Sequence, residues 1–307
     1  MHQRRGTYPG WCSGSRGRGS MADFVSSLRS GQVFLMDGAM GTQLLKLTRF
    51  PSAKFGEAYN LTHPEFVHSI HRSYLDAGAD VLLTNTFQAN PSALARQGLG
   101  NKLGDIWQSA IRLAHVDHPR PRFVLADVGP VDDLTLEMAA SILAQCVDVD
   151  GILLETWSSI EALKKFVDRP GRVPLLVSFT FHRLKDLVTF DGLLPEQCAK
   201  AAQHYGAIAI GANCGNEIGM EDLLEIVKRY RSACDLPVFA RPNAGTPSKA
   251  GLRYPRSPAT MAAALIALLD AGTAMVGGCC GTTPQHIQAF REVVDEWNGR
   301  ARKPTLE

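Results

Sequence analysis

No apolar stretch in this chain approaches the roughly 18 consecutive residues that read as a membrane-spanning helix, so no spanning segment is expected. There is no Cys-x2-Cys pair and no Cys/His knuckle, which removes the usual signature of a four-ligand structural zinc. No Gly-x-Gly-x-x-Gly follows any candidate strand, so the dinucleotide fingerprint of a doubly wound sheet is missing. An excess of one charge is lacking too: 32 basic against 30 acidic residues leave a formal net charge of +2, and nothing points to nucleic acid. A disulfide framework is absent. The seven cysteines are odd in number and scattered, which argues for free thiols in a reducing compartment and makes the cytoplasm the expected location.

What is present begins with the placement of three of those cysteines. Cys279 and Cys280 stand side by side in Val276-Gly277-Gly278-Cys279-Cys280-Gly281-Thr282-Thr283-Pro284, after a short apolar run. Cys214 ends another such run, in Ile210-Gly211-Ala212-Asn213-Cys214-Gly215. Neighbouring cysteines rarely bridge each other, and three thiols at two strand ends match a catalytic zinc that keeps its fourth position open. Isolated cysteines are more often simply buried. Spacing alone leaves both readings standing.

At 307 residues, with 45% hydrophobic and 20% charged composition, the chain can build one large core. Residues 1–20 stand apart: four arginines, five glycines, no acid, and no apolar core of the roughly 7–15 residues that a secretory signal carries. A basic arm, a tag remnant and sequence upstream of a start at Met21 all fit this segment. The expected organisation is a basic Gly/Arg-rich extension over 1–23, a single folded domain over 24–300 and a tail over 301–307.

Within that domain, short aliphatic or β-branched runs alternate with helical periodicity. Strands are predicted at 33–36, 79–84, 122–126, 151–155, 175–179, 207–211, 237–240 and 273–276. Helices are predicted at 65–77, 103–115, 134–145, 159–168, 195–204, 220–232 and 258–271, with a last one from 284 to about 297. Continuous apolar runs suit strands buried on both faces of a parallel sheet. Eight such units fit an α/β fold, a single (β/α)8 TIM barrel, with an open doubly wound sheet as the rival. In a barrel the functional face is the C-terminal end of the strands. That gathers Asp37, Thr84-Asn85-Thr86, Asp127, Glu155-Thr156, Asn213-Cys214, Arg241-Pro242-Asn243 and Cys279-Cys280.

These residues carry a resemblance. Asp37-Gly38-Ala39-Met40-Gly41-Thr42-Gln43-Leu44, Thr84-Asn85-Thr86-Phe87, Leu154-Glu155-Thr156, Asn213-Cys214, Pro242-Asn243-Ala244-Gly245 and Gly278-Cys279-Cys280-Gly281-Thr282-Thr283-Pro284 occur in the order typical of homocysteine S-methyltransferases. Over about residues 33–294 the chain resembles that family, and in wording it leans toward the homocysteine-binding module of cobalamin-dependent methionine synthase. The resemblance implies a TIM barrel in which Cys214, Cys279 and Cys280 hold Zn2+ and the homocysteine thiol takes the open position. It also implies that Asp37 and Glu155 accept the substrate ammonium. Backbone amides around Gly38, Ala39 and Gly41 face the carboxylate, and Asn243 lies at the substrate or behind the cysteines. The implied partners are homocysteine and a methyl donor, either a small molecule such as S-methylmethionine or S-adenosylmethionine, or a corrinoid protein; no nucleic acid or membrane is implied. Another thiol acceptor, or a non-catalytic zinc- and homocysteine-binding relative, are the alternatives. The sequence departs from the family after the third strand, where Asp127-Val128-Gly129-Pro130-Val131-Asp132-Asp133-Leu134 enters the next helix almost at once. A piece of the donor-side wall is expected to be missing there.

Overall fold

The computed structural model describes residues 21–47, 55–118, 123–167, 173–183, 185–215, 218–245 and 254–301. The basic segment 1–20 and the tail beyond 301 lie outside the described residues, as does Cys12. Eight strands form one parallel sheet: β1 (Phe34–Leu35), β2 (Val81–Leu83), β3 (Phe123–Val128), β4 (Gly151–Trp157), β5 (Leu175–Phe179), β6 (Ala209–Asn213), β7 (Val238–Arg241) and β8 (Thr273–Val276). From β2 to β8 each pairs with the next in sequence, and β8 pairs back onto β1. The ring closes at Met36, which bridges to Val81, and the Asp37 amide donates to the Val81 carbonyl at 2.9 Å. This is the (β/α)8 barrel that the alternation of runs predicted, and the open sheet is ruled out.

All eight predicted strands and all eight predicted helices are present, with shifted ends. Four strands run further than their apolar runs: β3 reaches Val128, β4 reaches Trp157, β6 reaches Asn213 and β7 reaches Arg241. Each extension contains a polar residue, Asp127, Thr156, Asn213 or Arg241, which hydropathy reads as the end of a strand. Short elements escaped periodicity altogether. They include the helices Met21–Ser27 and Gly41–Leu47 and a two-strand hairpin, His182–Arg183 with Leu187–Val188, inserted after β5. A helix of seven residues has only two turns in which to display a pattern.

The barrel interior is filled in layers, as parallel barrels require. Val81, Leu125, Leu153, Leu176, Phe239 and Met275 form an apolar layer, and Phe24 from the N-terminal helix and Leu28 just after it close it from below. Phe24 is 1% exposed and tilts against Phe123, with ring centroids 4.9 Å apart. Truncating it leaves a hole in the barrel floor that strands cannot collapse to fill. Phe24→Ala is therefore expected to cost about 3 kcal/mol, read as a lower urea midpoint with unchanged slope; a shift within error would show that the plug is dispensable. Side chains alternate along a strand, so two residues beyond the apolar layer the inward positions are Asp127, Glu155, Ser178 and Arg241. The barrel thus changes from apolar to charged one layer below its C-terminal mouth.

Candidate functional site

The three cysteines that sequence singled out converge. The Sγ atoms of Cys214, Cys279 and Cys280 all lie within 4.8 Å of one another, and Cys214 and Cys280 are 3.8 Å apart. No other group of three metal-ligating side chains gathers this way among the described residues. His71 is fully buried without a hydrogen-bond partner among the described residues, and burial pushes its imidazole down to about 3.

Local backbone chemistry explains how two loops bring the sulfurs together. Cys214 adopts a left-handed φ of 52° and Gly215 follows at 98°, so the chain turns sharply just past β6. After β8, a Cβ on Gly278 would come 2.4 Å from Thr282 Oγ1, and one on Gly281, whose φ is 81°, would come 2.0 Å from the Tyr254 ring. Only glycine fits either place. Thr282 then fixes the turn: its hydroxyl donates to the Cys279 carbonyl at 2.7 Å and accepts from the Ala39 amide at 3.1 Å. Asn213 and Asn243 hold the sulfurs from behind, donating to Cys279 and Cys214 respectively, each at 3.7 Å. Asn213 also pairs with Thr156, whose backbone sits at a left-handed φ of 65°. A β-branched residue there is strained, and the irregular β4–β5 register between Leu154 and Trp157 marks the same place.

The donor set fits a soft, tetrahedral cation. Sulfurs bound to zinc at about 2.3 Å lie roughly 3.8 Å apart along a tetrahedron edge. Without a cation the cluster holds one negative charge well and three poorly. Hydrogen bonds from Cys279 and Cys280 pull Cys214 down to about 3, while Cys280 is pushed up by the bond it donates to Cys214, and Cys279 is pushed up to about 11.

Beneath the sulfurs, Asp37 and Glu155 face a residue that had no assigned role. Arg241, 3% exposed, donates to Asp37 Oδ1 at 3.0 Å and to Glu155 Oε1 through its other terminal nitrogen. Asp37 Oδ2 accepts the Leu83 amide at 2.9 Å. Burial pushes both carboxyls up to about 7, against the pull of Arg241. Asp127 joins them, pushed well above the carboxylate range by burial and by the charge of Glu155. Asp127 and Arg241 were visible as polar strand ends; the signal that points them inward is two-residue alternation from Leu125 and Phe239.

Other residues at the rim have plainer positions. The Ala39 amide is spent on Thr282, and Gly38 packs so tightly that a Cβ would meet the Tyr74 ring at 2.7 Å. Trp157 is buried, donating to the Val128 carbonyl at 3.0 Å and packing on Phe166. Phe87 lies against Gly129, whose amide donates to its carbonyl. His182 pairs edge-on with Phe190, which is exposed just past the inserted hairpin's second strand. Cys146 and Cys198 are buried, as is Cys234, away from the cluster. The connection from β3 to helix Leu136–Leu143 is only residues 129–135.

The homocysteine S-methyltransferase family pattern matches residues 34–294. The chain is 32% identical over 305 residues to methionine synthase of Mycobacterium leprae (strain TN), covering 87% of this chain and 25% of that protein. Identity to the Mycobacterium tuberculosis (strain ATCC 25618 / H37Rv) methionine synthase is 32% over 301 residues, covering 86% of this chain and 25% of the relative. The chain thus spans about a quarter of the length of these curated relatives. Its fold is similar to that of the metallated homocysteine methyltransferase MmuM from Escherichia coli, with a TM-score of 0.73, 24% identity, and coverage of 87% of this chain and 98% of that one. With the match running through every barrel strand and both cysteine loops, the chain belongs to the homocysteine S-methyltransferase family.

Proposed function

We propose that this protein transfers a methyl group to the sulfur of homocysteine, giving methionine, with Cys214, Cys279 and Cys280 as ligands of a zinc ion. The observation that carries this reading is a three-sulfur cluster of tetrahedral dimensions set directly beyond a buried acidic layer. Bound there, zinc would supply a thiol-acidifying centre at which the acceptor sulfur is a thiolate at neutral pH. The protein's own groups do the rest. Asn213 and Asn243 orient the cysteine sulfurs. The acidic layer draws the substrate ammonium, with Glu155 offering the oxygen that Arg241 leaves free. Backbone amides of the 38–41 loop other than that of Ala39 remain for the carboxylate. No general base is required once the acceptor is a thiolate.

The shape of the mouth bears on the donor. The short connection after β3 leaves that side of the barrel with little wall, which favours a bulky methyl donor over a small one held on all sides. A methylated corrinoid brought by another protein fits this, and S-methylmethionine or S-adenosylmethionine are the small-molecule candidates. Free cysteines and thiolate ligands suit the reducing cytoplasm, and no helix among the described residues is long and apolar enough to cross a membrane. One observation favours a second acceptor: Arg241 already satisfies Asp37 as an incoming ammonium would, so a thiol without an amino group is the rival.

The test is methionine formation by zinc-loaded protein and homocysteine, with S-methylmethionine, S-adenosylmethionine and methylcobalamin supplied separately. Turnover is expected with at least one, and methylcobalamin ahead of the others would support the open-walled donor side. Methylation of 4-mercaptobutyrate with no methylation of homocysteine would replace this reading with the rival acceptor.

A further inference from the structure

Four charged side chains share the layer beneath the sulfurs, and their hydrogen bonding is unequal. Both oxygens of Asp37 are engaged, one by Arg241 and one by the Leu83 amide. Glu155 commits one oxygen to Arg241. Asp127 is 6% exposed, yet its carboxylate accepts no hydrogen bond from any described residue, and its Oδ1 is sealed from solvent. Only its backbone is tied: the amide donates to Thr84 Oγ1 at 3.0 Å and the carbonyl accepts from Thr86 Oγ1 at 2.7 Å. Those two threonines are hydrogen-bonded to each other, so the strand end is fixed while the side chain is left idle.

A buried carboxylate without a donor is expensive, and native structures keep one only where something else supplies the partner. Arg241 does not supply it: its terminal nitrogens serve Asp37 and Glu155, and its Nε has no partner. Three carboxyls against one guanidinium leave the layer with acceptor oxygens to spare for a compact cation. An α-ammonium is such a cation, since it carries the charge and three donors on a single atom. Resting on the homocysteine reading, we propose that Asp127 is a substrate-binding residue that accepts a hydrogen bond from the ammonium group of the acceptor thiol, shared with the free oxygen of Glu155, and so selects amino thiols over des-amino ones. Arg241 has a separate task, holding Asp37 and Glu155 in position. A thiol lacking the amine would leave Asp127 unpaired in the bound state, which is the kind of loss that discriminates strongly.

The experiment compares zinc-loaded wild-type protein with Asp127→Asn, titrating each calorimetrically with L-homocysteine and with 4-mercaptobutyrate. The asparagine is isosteric and disturbs none of the backbone bonds at this position. Wild type is expected to prefer homocysteine. The variant is expected to bind homocysteine at least tenfold more weakly, with 4-mercaptobutyrate affinity and zinc content unchanged. Unchanged homocysteine affinity in Asp127→Asn would overturn the assignment while leaving the homocysteine reading intact. Equal weakening of both thiols would also overturn it, because that pattern belongs to a damaged pocket. Wild type that binds 4-mercaptobutyrate as well as homocysteine would sink both the assignment and the reading beneath it. Should the asparagine variant fold poorly, Asp127→Ser gives the same comparison with a smaller neutral side chain.

Discussion

The Cys280→Ser protein is expected to lose bound metal and methyl transfer together, with its fold intact. A serine hydroxyl does not ionise near neutral pH and is a hard donor, so the cluster would fall to two sulfurs. Mutating residues that merely orient a metal ligand typically costs about 10–100-fold in affinity; removing a ligand outright is expected to cost more than 100-fold. The barrel does not depend on the site. Cys280 is half-buried at the mouth, beyond the last residues of β8, and its backbone bond to the Ala244 amide survives the change. Metal content after dialysis against a competing chelator, together with circular dichroism, separates these effects. Full zinc occupancy and full activity in the variant would refute the metal assignment. Proton release sharpens the test. With Cys279 and Cys280 pushed up and only Cys214 pulled down, metal binding must expel protons from the cluster. Wild-type affinity is therefore expected to rise with pH.

Much of this architecture was legible because two periodicities, about 3.6 and 2, write themselves into apolar residues. The eight strands and eight long helices came from those runs, and the cysteine pair came from glycines and thiols that no packing argument demands. The charged layer was harder to read for a physical reason. Asp127, Glu155 and Arg241 are buried, and hydropathy treats a buried charge as the end of a strand. They were found as strand-end residues, while their convergence on one another needed the barrel to close. Arg241 shows this most clearly: it lies 204 positions from Asp37 in sequence, yet donates to it at 3.0 Å. Short elements failed for a different reason, since the Met21–Ser27 plug and the inserted hairpin are too brief to show a period at all.

Arg241→Met is expected to destabilise the protein far more at pH 8 than at pH 5. Breaking a buried ion pair by removing one partner leaves uncompensated charge and typically costs about 3–5 kcal/mol. Here Arg241 is the cation among Asp37, Glu155 and Asp127, so its loss strands three carboxylates at once. The sign follows from proton linkage. Burial already pushes Asp37 and Glu155 up to about 7, with Arg241 opposing it. Removing the guanidinium leaves burial unopposed and raises both further above their unfolded values. A carboxyl raised in the folded state costs nothing below its unfolded value of about 4, and costs progressively more as pH climbs toward its folded value. At pH 5 these groups are protonated in both folded proteins and the added loss is small. Above about pH 7 they ionise in wild type but stay protonated in the variant, so the loss grows and is larger at pH 8. Denaturant midpoints at the two pH values measure this directly, and an equal loss at both would assign the effect to packing instead. Arg241→Lys restores a cation and is expected to recover part of the stability at pH 8. The substrate supplies a final discriminator. If the acidic layer is built to take an ammonium, homocysteine should stabilise Arg241→Met by more than it stabilises wild type, because the ligand returns the charge that the mutation removed.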